Sequence, residues 1–271
     1  MTASRLRNRG GDAVFLCYHS IADGGPPFLS IGPEAFERQL STLRRLGYRA
    51  GTLGDLAQLA AGERPDGRLA FLTFDDGYLD NYVTARPLLE AYGFRALIFL
   101  VPPLVDAGAA LAWPRVEGQL RDHPEIMRSM TWAMVEEMAA SGHEFGSHTL
   151  SHPRLPDADD TALRAELADS RAAIEQRLGS CAAVAYPFGV WSARVAEAAA
   201  AAGYSYGFTL PYGAQSRADA LTIPRISVDH RDDERRFRLK LTPAYRAFLL
   251  SRLKPAARRV LGRSPAHEAA G

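Results

Sequence analysis

Two stretches of the sequence hold side chains able to do chemistry together. The first, Thr73-Phe74-Asp75-Asp76-Gly77-Tyr78, sets two carboxylates side by side. Neighbouring carboxylates repel unless a cation or a shared proton compensates them, although Asp-Asp-Gly is also good turn chemistry. The second, Gly146-Ser147-His148-Thr149-Leu150-Ser151-His152, spaces two histidines at i and i+4. On one helical face or across one turn, both imidazoles reach a single ion. Asp76, His148 and His152 together offer three protein ligands and leave a coordination position open for water or substrate, as a catalytic zinc centre requires. Asp75 is then free to act as a base.

Side chains this far apart in sequence meet only if the elements carrying them end at the same place. Apolar runs at 13–18, 69–74, 95–101, 144–147, 183–186, 204–209 and 221–226 read as about seven strands. Between them lie helical patterns: one opened by Pro33 with Phe36, Leu40 and Leu43 on one face, then 53–61, 81–92, 132–141, 161–178 and 192–202. Each is followed by a glycine, where a left-handed cap is wanted. Strand, helix, glycine, strand, repeated, implies parallel strands with helical crossovers. The fold class is therefore α/β, a single-domain (β/α) barrel, and both chemical clusters follow strands, at the end where such barrels present catalytic groups. The segment 102–130, with four prolines, departs from the rhythm and suits a lid or groove wall over the mouth.

Composition narrows the class further. The chain of 271 residues is 47% hydrophobic and 23% charged, which excludes disorder and collagen-like repeats. Its formal charge of +1 hides an asymmetry: residues 235–263 hold ten Lys and Arg and no acid, leaving 22 bases against 30 acids in residues 1–234. That basic tail alternates charge with Leu, Phe and Tyr. It reads as a helix packing one face on the barrel, with attraction to an anionic membrane surface as the functional alternative. Nucleic acid is not expected, since no recognised motif accompanies the charge. Cys17 and Cys181 read as buried free thiols. The run 13–18 is too short for an export signal or a membrane span, so a cytoplasmic location is expected.

With these residues in view, the sequence resembles the polysaccharide deacetylases of the NodB-homology group, carbohydrate esterase family four. Thr73-Phe74-Asp75-Asp76-Gly77 is similar to the family's first motif, Ser147-His148-Thr149-Leu150-Ser151-His152 to its second, and Tyr186-Pro187-Phe188-Gly189 to its third. The likeness runs over 13–226, and Cys17-Tyr18-His19-Ser20-Ile21 is similar to the branch that includes poly-N-acetylglucosamine deacetylases. It implies a distorted (β/α)7 barrel over 12–231, after a flexible 1–11 and before a basic, partly helical extension at 232–271. It also implies one divalent ion, zinc first with cobalt, nickel or iron as alternatives, held by Asp76, His148 and His152. Asp75 is implied as general base, the Phe188 N–H as oxyanion donor, and Tyr186, Pro187 and Phe188 as substrate contacts. The expected substrate is an N-acetylated sugar in a glycan, glycolipid or sugar-containing intermediate.

Two departures stand out. The third motif's usual arginine is missing from Ala182-Ala183-Val184-Ala185-Tyr186, and Arg225, at the end of the last strand, is the candidate to orient Asp75 or meet substrate. The family's acid histidine has no clean match: His230 comes two residues late and reads as a surface residue, whereas His19 stands at the right end of the first strand to line the pocket or donate the leaving-group proton. These departures keep a weak or inactive glycan-binding barrel in view. An O-acetyl esterase or another C–N hydrolase is the further alternative, since fold and metal do not fix substrate.

Overall fold

A computed structural model describes residues 13–105, 109–113, 116–211 and 219–249. The expected flexible 1–11 and the end of the tail lie outside them. The strands in chain order are β1 (Ala13–Tyr18), β2 (Ser20–Ile21), β3 (Ser30–Ile31), β4 (Tyr48–Ala50), β5 (Arg68–Phe74), β6 (Ala96–Leu100), β7 (Glu144–Ser147), β8 (Ala183–Ala185), β9 (Tyr206–Thr209), β10 (Ile223–Pro224) and β11 (Ile226–Ser227). The main sheet is parallel throughout, in the order β10-β9-β8-β7-β6-β5-β1-β11.

The last strand, expected as one run over 221–226, is two short pairings flanking Arg225. Ile223 and Pro224 pair with β9, and Ile226 and Ser227 with β1. One five-residue segment therefore brings the two ends of the sheet together, and the nearly closed barrel is the (β/α)7 architecture expected. The sequence reading missed β4, a three-residue strand that pairs with the first part of β5 while β6 pairs with the last part.

Alternation along the strands sorts side chains into two layers. Val14, Leu16 and Tyr18 of β1, with Ala70, Leu72 and Phe74 of β5, join the shell under the helices. Phe15, Leu69, Phe71, Leu97, Phe99 and Phe208 fill the interior. There Phe15 stacks on Phe71 at 4.4 Å and Phe99 meets Phe208 at 5.3 Å. This aromatic floor seals the barrel below the mouth.

The helices fall where the caps predict. Pro33–Arg45 buries Phe36, Leu40 and Leu43, and Leu53–Ala61 and Asp160–Leu178 end at left-handed Gly62 and Gly179. The run 81–92 is not one α-helix: Asn81–Ala85 is a π-turn before the helix Arg86–Ala91. Pro87 explains the widening, having no N–H to offer and a ring that crowds the carbonyl four residues back. The segment 102–130 packs Leu111, Trp113, Val116 and Met127 against Tyr78 and Phe188. The described part of the tail forms Glu234–Lys240 and Pro243–Leu249.

Candidate active site

β5 delivers the carboxylates. Continuing the inward face of Leu69, Phe71 and Thr73, Asp75 enters the mouth, and its N–H donates to the Tyr18 carbonyl at 3.0 Å. Asp76 is then turned into the left-handed region at φ 70°. Gly77 follows at φ 70°, and a Cβ there would lie 2.7 Å from Leu100 Cδ2, so neither the turn nor the space admits a side chain.

The histidine loop leaves β7 with its first N–H bound to the Leu100 carbonyl at 2.7 Å. Helix Asp160–Leu178 holds the rest. Glu166 accepts from the Leu150 and Ser151 N–H groups at 2.8 and 2.9 Å and from the Ser151 hydroxyl, while the Ser147 hydroxyl donates to Ser170 at 2.7 Å. His148 Nδ1 donates to the Ala185 carbonyl at 2.8 Å, which fixes the tautomer and turns the Nε2 lone pair to the mouth. The ring of His152 lies between Trp113, at 4.3 Å, and Phe188, at 4.7 Å.

Asp76, His148 and His152, the predicted ligand set, come together: one ligand atom from each lies within 4.8 Å of the others. Both Nε2 atoms stand 3.5 Å from Asp76 Oδ1, a buried oxygen with no hydrogen-bond partner. Burial and the neighbouring Asp75 push the Asp76 carboxyl well above its ordinary range, as for any buried anion beside another anion. Burial pushes both imidazoles down, most strongly His152. Two neutral imidazoles and an orphaned carboxylate oxygen fit a divalent cation, which supplies the positive charge this cluster lacks.

Arg225 lies directly beneath. Its Nη1 and Nη2 donate to Asp75 Oδ1 and Oδ2 at 2.6 and 2.7 Å, and Nη1 also donates to Thr73 Oγ1 at 3.0 Å. The guanidinium rests over Phe99 and Phe208, 5.3 and 5.9 Å from their centroids. Burial alone would raise the Asp75 carboxyl, but Arg225, His148 and His19 hold it well below the carboxylate range. Cys17 Sγ donates to Asp75 Oδ2 at 3.4 Å. Ligand atoms of Cys17, His19 and Asp75 form a second cluster beside the first. Burial pushes His19 down to about 4, with Arg225 and His148 acting the same way against Asp75.

Four expectations need correction or placement. Tyr186 offers no face to a sugar: it is fully buried in the shell under the helices and its hydroxyl donates to the Leu221 carbonyl at 2.9 Å, because a buried tyrosine needs a partner for its oxygen. Pro187 is buried as well, and only Phe188 of the three is half-exposed. Arg225 is fully buried and engaged with Asp75, so it is not a substrate contact. His230 is an exposed residue of the tail, hydrogen-bonded to the Pro27 carbonyl and outside the cluster. Sequence reasoning overlooked Glu166, whose position in a polar helix gives no signal of its role.

All four non-glycine residues with positive φ among those described, Asp76, Thr149, His152 and Phe188, belong to the three loops at the mouth. Strain concentrated in this way marks geometry imposed by something other than stability.

Comparison with known proteins agrees with this picture. Residues 62–207 match the family model described as polysaccharide deacetylase. YxkH of Bacillus subtilis, assigned to the polysaccharide deacetylases, is 30% identical over 216 residues, covering 79% of this chain and 70% of that one. The poly-beta-1,6-N-acetyl-D-glucosamine N-deacetylase of Escherichia coli is 29% identical over 143 residues, half of this chain but 20% of the enzyme. Among solved structures, the Streptococcus pyogenes deacetylase PplD in complex with acetate superimposes with a TM-score of 0.73 at 25% identity, covering 85% of this chain and 98% of that one.

Proposed function

The chain belongs to the polysaccharide deacetylase family, and from that premise we propose that it is a metal-dependent N-deacetylase, hydrolysing the acetamide of an N-acetylated sugar in a glycan. The observation that carries the reading is the pairing at the mouth of Asp76, His148 and His152 with an Asp75 locked by a buried arginine. The E. coli relative's N-acetylglucosamine polymer favours a hexosamine substrate.

Asp76, His148 and His152 would hold the ion, zinc before cobalt, nickel or iron, and its chemistry is to polarise the acetamide carbonyl and acidify a water. Asp75 supplies the base. Its two oxygens keep lone pairs beyond those used by Arg225 and Cys17, and the low pKa keeps it ionised at working pH. The same weak basicity makes the captured proton easy to pass to the departing amine nitrogen. His19, neutral at working pH, lines that path as a hydrogen-bonding group rather than as a cation. The Phe188 N–H, on its left-handed turn beside His152, is the oxyanion donor in this scheme. The fork from Arg225 to both Asp75 oxygens supports reading it as the counterpart of the missing third-motif arginine, and so supports an active barrel.

The test is acetate release from chitooligosaccharides and poly-N-acetylglucosamine by chelator-treated protein resupplied with Zn²⁺, Co²⁺, Ni²⁺ or Fe²⁺. Turnover should return with metal, and Asp75→Asn should lower kcat by about 10²–10⁴. Silence across the panel with every metal would overturn the proposal, and an unimpaired Asp75→Asn would remove the base.

A further inference from the structure

The two tail helices, Glu234–Lys240 and Pro243–Leu249, grip the barrel with a single stripe. Phe237, Leu241 and Leu249 are buried and Tyr245 is half-buried, every fourth residue. Lys240 Nζ donates to the Ser227 carbonyl at 2.7 Å, and Arg246 donates to the carbonyl of Ala13 at the start of β1. The outward face is different. Three large hydrophobics are exposed among the described residues, Val83, Leu239 and Phe248, and two of them are here, at 54% and 43%. Leu239 lies one helical turn from Arg235 and adjoins Arg238, and these two and Arg236 are all exposed. Arg238 shares its charge with Glu234 at 3.7 Å, and Arg236 Nη1 donates to the Arg231 carbonyl at 3.1 Å, but among the described residues the guanidinium of neither Arg235 nor Arg236 forms an ion pair. Past residue 249 the sequence adds five bases against one acid.

We propose that this face docks on an anionic lipid surface, with Arg235, Arg236 and Arg238 at the headgroups and Leu239 and Phe248 entering the boundary beneath them. Bases interleaved with exposed apolar side chains are what such a surface selects; a nucleic-acid backbone would use the charges and leave Leu239 and Phe248 in water. The Arg246 contact ties the second helix to the start of β1, and the Lys240 contact ties the first to the end of β11. The inference stands apart from the deacetylase reading, and its test does not use activity.

The test is flotation of the full chain with vesicles of phosphatidylcholine alone and of phosphatidylcholine with phosphatidylglycerol. Binding is expected to the mixed vesicles and to fall with salt. Each base near the surface contributes about fivefold, so Arg235→Gln/Arg236→Gln/Arg238→Gln should lower partition about a hundredfold. Leu239→Ser/Phe248→Ser should lower it about tenfold. All five residues are exposed, and each variant should stay folded, with a melting temperature close to the parent's. Equal flotation with neutral vesicles, unchanged binding of the triple variant, or preference for duplex DNA over the mixed vesicles would each overturn the proposal.

Discussion

Arg49 and Arg225 each grip an aspartate through both Nη atoms, in two different regions of the molecule. Arg49 donates to both oxygens of Asp55 at 2.8 and 2.7 Å, and Arg225 to both oxygens of Asp75 at 2.6 and 2.7 Å. Their surroundings differ. Asp55 also accepts from the Thr52 N–H and hydroxyl and closes the capping box of helix Leu53–Ala61, so its bonds build local structure. The Arg49 side chain is 43% exposed and that of Asp55 11%, against 0% for Arg225 and 5% for Asp75. A sealed ion pair is a poor stabiliser, because desolvation offsets most of the attraction. Next to Asp75 stands a second buried carboxylate with an unpartnered oxygen, which stability would not select. The first fork serves the fold; the second aims a carboxylate.

Removing one partner separates the two forks most strongly. Arg225→Ala strands Asp75 in the interior and should cost about 3–5 kcal/mol, read from the urea midpoint, whereas Arg49→Ala should cost about 1 kcal/mol or less. Arg225→Lys keeps the charge and loses the fork. It should therefore recover much of the stability yet leave kcat for acetate release about 10²-fold down, since a small misplacement of a reacting group is enough for that. A lysine variant with parental kcat would reduce Arg225 to a structural residue. Arg49→Lys should leave kcat unchanged.

Replacing the carboxylates themselves should give effects of opposite sign. Asp76→Asn relieves repulsion with Asp75 and should stabilise the metal-free protein by about 1 kcal/mol, a gain common where function had imposed stress. It should also abolish divalent-metal binding in titration calorimetry. A destabilised Asp76→Asn would mean that the cluster is ordinary structure.

How much of this was legible in the sequence follows the same division. Asp75, Asp76, His148 and His152 stood out because charged and metal-binding residues right after apolar strands break the pattern of a buried element. Arg225 was visible as a base at a strand end, but its orientation depended on the split between β10 and β11, which two-residue pairings do not announce. Tyr186 misled because an aromatic in a motif looks the same whether it faces the mouth or packs in the shell under the helices, and its neighbours and the partner of its hydroxyl decide. Glu166 was silent because its work is done on backbone N–H groups across the barrel wall, and a solvated helix face carries many such acids.

The smallest difference between the forks is in their response to pH and salt. The hydrogen bonds from Arg49, with those of Thr52, lower the Asp55 pKa, so its contribution is complete above an unfolded value near 4 and is lost as pH falls through the folded one. Asp55→Asn should therefore cost about 1 kcal/mol or less at pH 7, and the gap to the parent in melting experiments should close below about pH 4. Asp75 has the same sign, but its pKa is held lower still, and its contribution should persist to more acid conditions than that of Asp55. Salt gives the independent check. At about 1 M the screening length is near 3 Å, which weakens the exposed Arg49 pair and hardly reaches the sealed one. If high salt closed the gap between Arg225→Ala and its parent as well, solvent would have to reach both pairs, and the distinction between a fork that caps a helix and a fork that aims a base would fail.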